Sequence, residues 1–206
     1  LGDVYKRQGV MVRLAGENQV SGEFIFGHRG GVVDMYGHNL TLNAITHLDS
    51  GAVFANYLGN STVTLTFTGS GEQTFLGALR DGEAASRGLM NVVYAPGTAE
   101  GSVWNLAGHI LNTGTWTVQG GEVKVAGVHT LHAGGYVDEN DWQMASFSTG
   151  TVQVNSGARF TTGGHSLVVS AVQVDDGGTY GVLAGGNHSG NVVLSGTASM
   201  FRAEVD

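Results

Sequence analysis

Short apolar runs alternate along the chain with glycine, serine or asparagine, and little of it carries a helical period. Val10–Leu14, Glu23–Phe26 and Val32–Met35 are β-rich runs separated by small polar residues. Thr62–Phe67 alternates threonine with Val63, Leu65 and Phe67, the two-residue period of a half-buried strand. Trp116–Val118 and Glu122–Val125 repeat that arrangement on either side of Gly120-Gly121. Leu79–Gly88 departs from it. Polar and broken by glycine, it reads as a loop excursion with room for one helical turn.

The last third has a countable register. Val152-Gln-Val154 leads through Asn155-Ser-Gly-Ala-Arg to Phe160, and Val172-Gln-Val174 leads through Asp175-Asp-Gly-Gly-Thr to Tyr180. Val193-Leu194 leads in the same way through Ser195-Gly-Thr-Ala-Ser to Met200. Val154, Val174 and Leu194 thus recur every twenty residues, the length of one β-solenoid coil. A coil of that size cannot bury its own apolar face and gains stability only by stacking on its neighbours. Tight corners need positive φ, which glycine and asparagine supply at low cost. Proline is excluded where each coil must donate to the next. An antiparallel sandwich, with hairpins at Gly120-Gly121 and Asn155–Gly157, would use the same turns. Equal spacing with recurring side-chain chemistry favours the solenoid, so the expected class is all-β.

Composition narrows the rest. The 206 residues include 35 glycines, one proline (Pro96) and no cysteine. The glycines follow no three-residue period, which excludes collagen. With 41% hydrophobic and 13% charged residues, the chain has apolar surface to bury and is not of the disordered kind. A net charge of −8 argues against nucleic acid or an anionic membrane as partner. Without cysteine there are no disulfides or thiolate metal sites, and no apolar run approaches the roughly 20 residues of a membrane helix. No signal peptide opens the chain, so an export signal is expected outside it. The first eight residues, Leu1–Gln8, read as a translated adapter scar and are set apart from a unit at 9–206.

One stretch resembles a known family. Phe26-Gly-His-Arg-Gly-Gly, then Asp34, Gly37-His38-Asn39-Leu40, Gly51-Ala52 and Asn56, is similar to the β-helix of the serine protease autotransporters, which include IgA proteases and enterobacterial toxins. Leu89–Pro96, Leu106–Asn112 and Gly120–Val125 are similar to the coils that follow. The likeness is good over roughly 10–125, and only the solenoid style persists beyond. The resemblance implies a right-handed, single-stranded parallel β-helix of the pectin-lyase-like type. It implies an N-terminal chymotrypsin-like protease and a C-terminal outer-membrane barrel on the same polypeptide. It also implies secretion or display on the bacterial cell surface. The chain holds neither a Gly-Asp-Ser-Gly motif nor barrel-like terminal strands, so no catalytic residue is carried over.

Individual residues offer little chemistry. His28, His38 and His47 with Asp34 and Asp49 invite a metal or triad reading. Ser50 and Ser61 lack the strained turn and adjacent base that a nucleophile needs. Asp34 and His38 are therefore expected to hydrogen-bond turn backbone. His129 and His132, near Asp138, Glu139 and Asp141, match no zinc spacing. Asp175-Asp-Gly-Gly lacks the tandem nonapeptides of a calcium roll and reads as an Asx-type corner. Trp104 and Trp116 lie in alternating runs and are expected in the core, and Trp142 is expected to anchor a loop. No metal or cofactor is expected.

The expected role is a stalk segment, a monomer, that presents a protease domain. The alternative is an adhesin that binds host extracellular proteins or the cell surface through Tyr136, Asp138, Glu139, Asp141 and Trp142. Loops on a rigid scaffold are where binding functions sit. A polysaccharide-cleaving β-helix enzyme would need convergent carboxylates in a groove, and the sequence has no such cluster.

Overall fold

The computed structural model describes residues 10–27, 30–46, 51–82, 88–125, 131–132, 136–137, 147–162, 166–183 and 187–203. Strands of two to nine residues are joined by corners, and the strands of successive coils pair in parallel. Three columns of strands result. The first holds Met11–Arg13, Gly31–Asp34, Ala52–Asn56, Ala78–Asp81 and His109–Leu111. The second holds Leu40–Leu42, Thr62–Phe67, Leu89–Tyr94 and Thr115–Val118. Three long strands, Phe147–Val154, Ser166–Val174 and Asn187–Leu194, then run across both columns without a corner between them.

The third column holds Glu72–Phe75, Val103–Leu106, Glu122–Val125, Arg159–Thr161, Thr179–Val182 and Met200–Ala203. Glu23–Ile25 and Ala44–Thr46 pair with each other at the same place in the two earliest coils. This is a parallel β-helix, and the antiparallel sandwich is excluded.

Alternation within each strand builds the core. Val63, Leu65 and Phe67 point inward and are buried, with threonines between them facing out. The inward residues of all three columns meet in one continuous cluster running from Leu14 to Tyr180. Aromatic rings mark its axis. Phe67, Tyr94, Trp104 and Trp116 contact one another across three coils, with centroids 4.6–6.1 Å apart. Both tryptophans are in the core, as their strand-like context predicts.

The counted register holds. Val154 pairs with Val174, and Val174 with Leu194. The companion series needs one correction. Tyr180 pairs with Phe160 on one side and Phe201 on the other, so Phe201, not Met200, completes the stack. The corner at Ser195–Ser199 is one residue longer than its predecessors, which advances the following strand by one. Leu79–Gly88 is also corrected in part. Leu79, Arg80 and Asp81 belong to a first-column strand that pairs with Ala52–Asn56, and only 83–87 of that stretch lie outside the described residues.

Candidate functional site

The corner between the first and second columns gathers most of the buried polar side chains. Asp34, Asn56, Asp81 and Asn112 stand there in four consecutive coils, all of them buried. Asp34 accepts from the backbone N–H of Tyr36 and of Tyr57, each at 3.0 Å, and from Arg13 Nε at 2.8 Å. Asn56 Oδ1 accepts from Gly37 N–H at 3.1 Å, while its Nδ2 donates to Leu89 O at 3.1 Å. Asp81 accepts from the N–H groups of Met90 (2.9 Å) and Thr113 (2.8 Å) and from the Thr113 hydroxyl (2.6 Å). Asn112 Nδ2 donates to Met90 O and its Oδ1 accepts from Trp116 Nε1, both at 2.9 Å.

Each side chain therefore reaches into an adjacent coil. Asp34 and Asp81 each accept three hydrogen bonds, two from backbone N–H groups and one from a side chain, and so clamp coils together. Asp34 behaves as expected. His38 does not, because its imidazole Nδ1 lies 3.6 Å from Glu17 Oε1 instead of on turn backbone. Ser61 donates to Leu58 O at 2.7 Å within a corner, with no base beside it. His28, His47, Asp49 and Ser50 lie outside the described residues.

The acidic corner is also differently built. The turn at Asp175 is closed by backbone, Gly178 N–H donating to Asp175 O at 2.8 Å. Asp176 Oδ1 accepts from Ala198 N–H of the following coil at 2.6 Å. It is a second clamp between coils and not an Asx turn on itself. Among the described residues no three His, Asp or Glu side chains are grouped to hold a metal ion.

A long insertion separates Glu122–Val125 from Phe147–Val154, since Trp116 pairs with Val152, thirty-six residues on. Within it Leu131–His132 and Tyr136–Val137 form an antiparallel pair, with His132 opposite Tyr136. This pairing departs from the parallel rule of the solenoid. Tyr136 of the predicted interaction loop sits in this hairpin, while Asp138, Glu139, Asp141 and Trp142 lie outside the described residues.

Comparison with known proteins supplies what the geometry leaves open. Residues 88–187 match the family described as the PIC/HAP1/IgA0 second beta-solenoid repeat region. The match continues well past residue 125, through coils that the motif likeness did not reach. The adhesion and penetration protein autotransporter of Haemophilus influenzae is 27% identical, over 68% of this chain and 11% of its own length. These matches, together with the parallel coils, support an autotransporter passenger β-helix fragment. The passenger therefore spans about a ninth of the length of the curated relative it matches. Passengers of this type reach the cell surface or beyond through the outer membrane, and this one is secreted or surface-displayed. No solved structure matches the chain.

The buried clamps were within reach of the sequence at one position only. Asp34 stood out through its motif. Asn56 and Asn112 lay in the quoted motifs without a role, and Asp81 lay outside them, because the coils between them differ in length and no fixed period links them.

Proposed function

We propose that this passenger region is a structural stalk that carries a serine protease domain at or beyond the cell surface. On this reading residues 9–206 form one unit and Leu1–Gln8 are not native. The same polypeptide continues to a C-terminal outer-membrane barrel. The observation that supports the reading is the unbroken parallel stacking of coils over one apolar core, clamped by side chains that span adjacent coils. Such an array is rigid along its axis and can hold an appended domain at a fixed distance. No described group in it is arranged for catalysis.

Electron microscopy of the longer natural polypeptide tests this. The expected image is a compact body at one end of an extended shaft, with serine endopeptidase activity that a serine-directed covalent inhibitor abolishes. A shaft preceded only by further β-helix coils would remove the stalk reading and leave the adhesin.

The adhesin reading has its own support in the printed name of the Haemophilus relative and in the antiparallel pair carried by the insertion between two stacked coils. Here host extracellular proteins or the cell surface would be met by Tyr136 together with Asp138, Glu139, Asp141 and Trp142. Binding of the purified passenger to host cells, lost on replacing residues 131–142 by a short glycine-serine turn, is its expected signature.

A further inference from the structure

The three columns differ in what they show to solvent. On the third, Glu72, Glu122, Lys124, Arg159 and Arg202 alternate with inward apolar residues. On the second, none of the seven stacked strands contains a charged residue anywhere along its length. The register sets Thr66, Val93, Thr117, Gln153 and Gln173 in one outward line, each half-buried or exposed. A parallel line of threonine, asparagine and alanine positions runs beside it. Along one flank the corners carry the exposed acids Glu100 and Asp176.

This face selects its occupant by charge and by repeat. A polyanion meets no cation on it and is repelled by the acidic flank and by a net charge of −8. A second copy of the passenger carries the same net charge and meets the same repulsion. A polycation is drawn to the acidic corners and gains nothing from the ladder itself. Threonine hydroxyls and glutamine amides both donate and accept, and one or the other stands at five of the seven rungs of this line (Thr41, Thr66, Thr117, Gln153 and Gln173), the rungs being about 4.8 Å apart over about 29 Å of column. A partner whose own hydroxyls recur along its length can engage rung after rung. Many weak contacts on one chain then add through effective concentration.

We propose that the outward face of the second column binds an extended, neutral polysaccharide lying along the solenoid axis. This goes beyond the stalk reading and does not depend on it.

Affinity electrophoresis of the folded passenger, in gels containing a neutral glucan, mannan or galactan and in parallel gels containing heparin, tests the inference. At least one neutral polymer should retard the protein, with little sensitivity to salt. The double variant Thr117→Glu/Gln153→Glu should bind roughly tenfold more weakly, about 1.4 kcal/mol, while Lys124→Gln on the third column binds as wild type. Both substitutions in the double variant are at outward positions, and an unchanged thermal transition shows that it has folded. Retardation by no neutral polymer, stronger retardation by heparin, or equal binding by the double variant would each overturn the proposal. So would sedimentation showing a wild-type dimer that the double variant cannot form, since a second copy would then occupy the face. None of these results bears on the shaft that microscopy tests for, so the two readings fail separately.

Discussion

Asp81 shows how much of this fold rests on single side chains. Its carboxylate takes two backbone N–H groups and one hydroxyl, drawn from its own coil and the next. Hydrogen bonds to a charged acceptor contribute about 1.5–3 kcal/mol each, and a buried donor left unpaired adds its own penalty. Asp81→Ala should therefore lower unfolding free energy by about 3–5 kcal/mol, read from the denaturant midpoint. Asp81→Asn should cost less, because one carbonyl oxygen remains while the new amide faces a donor. Tyr94 makes a contrasting case. It is fully buried, and its hydroxyl makes no hydrogen bond of good geometry. Burial pushes its pKa up to about 12, with the neighbouring Ser102 hydroxyl drawing it back part of the way. Burial also raises Tyr180. A raised phenol is protonated in both states below pH 10, so it has no effect on stability there. Above pH 10 the unfolded chain loses its proton first, and stability falls as pH rises toward the folded value. Tyr94 alone should account for about 2 kcal/mol between pH 10 and 12. In Tyr94→Phe the alkaline unfolding transition should move to higher pH, with stability at pH 7 equal or greater. An alkaline transition that does not move in this variant would contradict the assignment.

At the scale of the coil, spacing between corners matters as much as side-chain identity. Gly108 sits directly over Gly77, and a Cβ at Gly108 would stand 1.9 Å from the Gly77 carbonyl oxygen. Backbone on one side and backbone on the other cannot yield as a side chain would. Gly108→Ala should disrupt pairing of His109–Leu111 with Ala78–Asp81, costing about 3 kcal/mol or more, whereas Gly27→Ala, with open space around it and no positive φ to hold, should cost far less. Thermal melts of the two variants separate these cases. The same corners explain what could be foreseen from the chain. Where corners keep a constant length, as from Val152 to Val192, the twenty-residue period exposes the register directly. Where they vary, it is hidden. Leu65, Val92 and Trp116 pair in succession at unequal intervals, and the Leu79 strand looks like a loop because a polar segment follows it immediately. Tyr36 adopts φ of +44°, a conformation that tyrosine does not announce, and its backbone is held there by Asp34. Phe201 was displaced from its expected place by one added corner residue. A projecting loop could be located at 134–141, but the antiparallel pairing of Leu131–His132 with Tyr136–Val137 depends on contacts that no local pattern specifies.

For the whole molecule, stacking implies a gradient. Central rungs are covered on both sides, and Val92, Trp116 and Val152 are fully buried. The outermost described rungs are covered on one side, which leaves Met11 at one end and Leu194 and Phe201 at the other substantially exposed. In a one-dimensional array each coil is stabilised mainly by its two neighbours, so opening begins at an uncovered face and propagates inward. Hydrogen exchange on this chain should show protection rising from both ends toward the coils around Trp104 and Trp116. There the aromatic contacts cross three coils and the clamps at Asp81 and Asn112 join them. Asp81→Ala should then split the profile, lowering protection in the coils beside it while Val152–Tyr180 keep theirs. Uniform loss of protection across all rungs would mean that the chain unfolds as a single unit. A stalk would then owe its rigidity to cooperativity of the entire core, and not to the pairwise joining of coils described above.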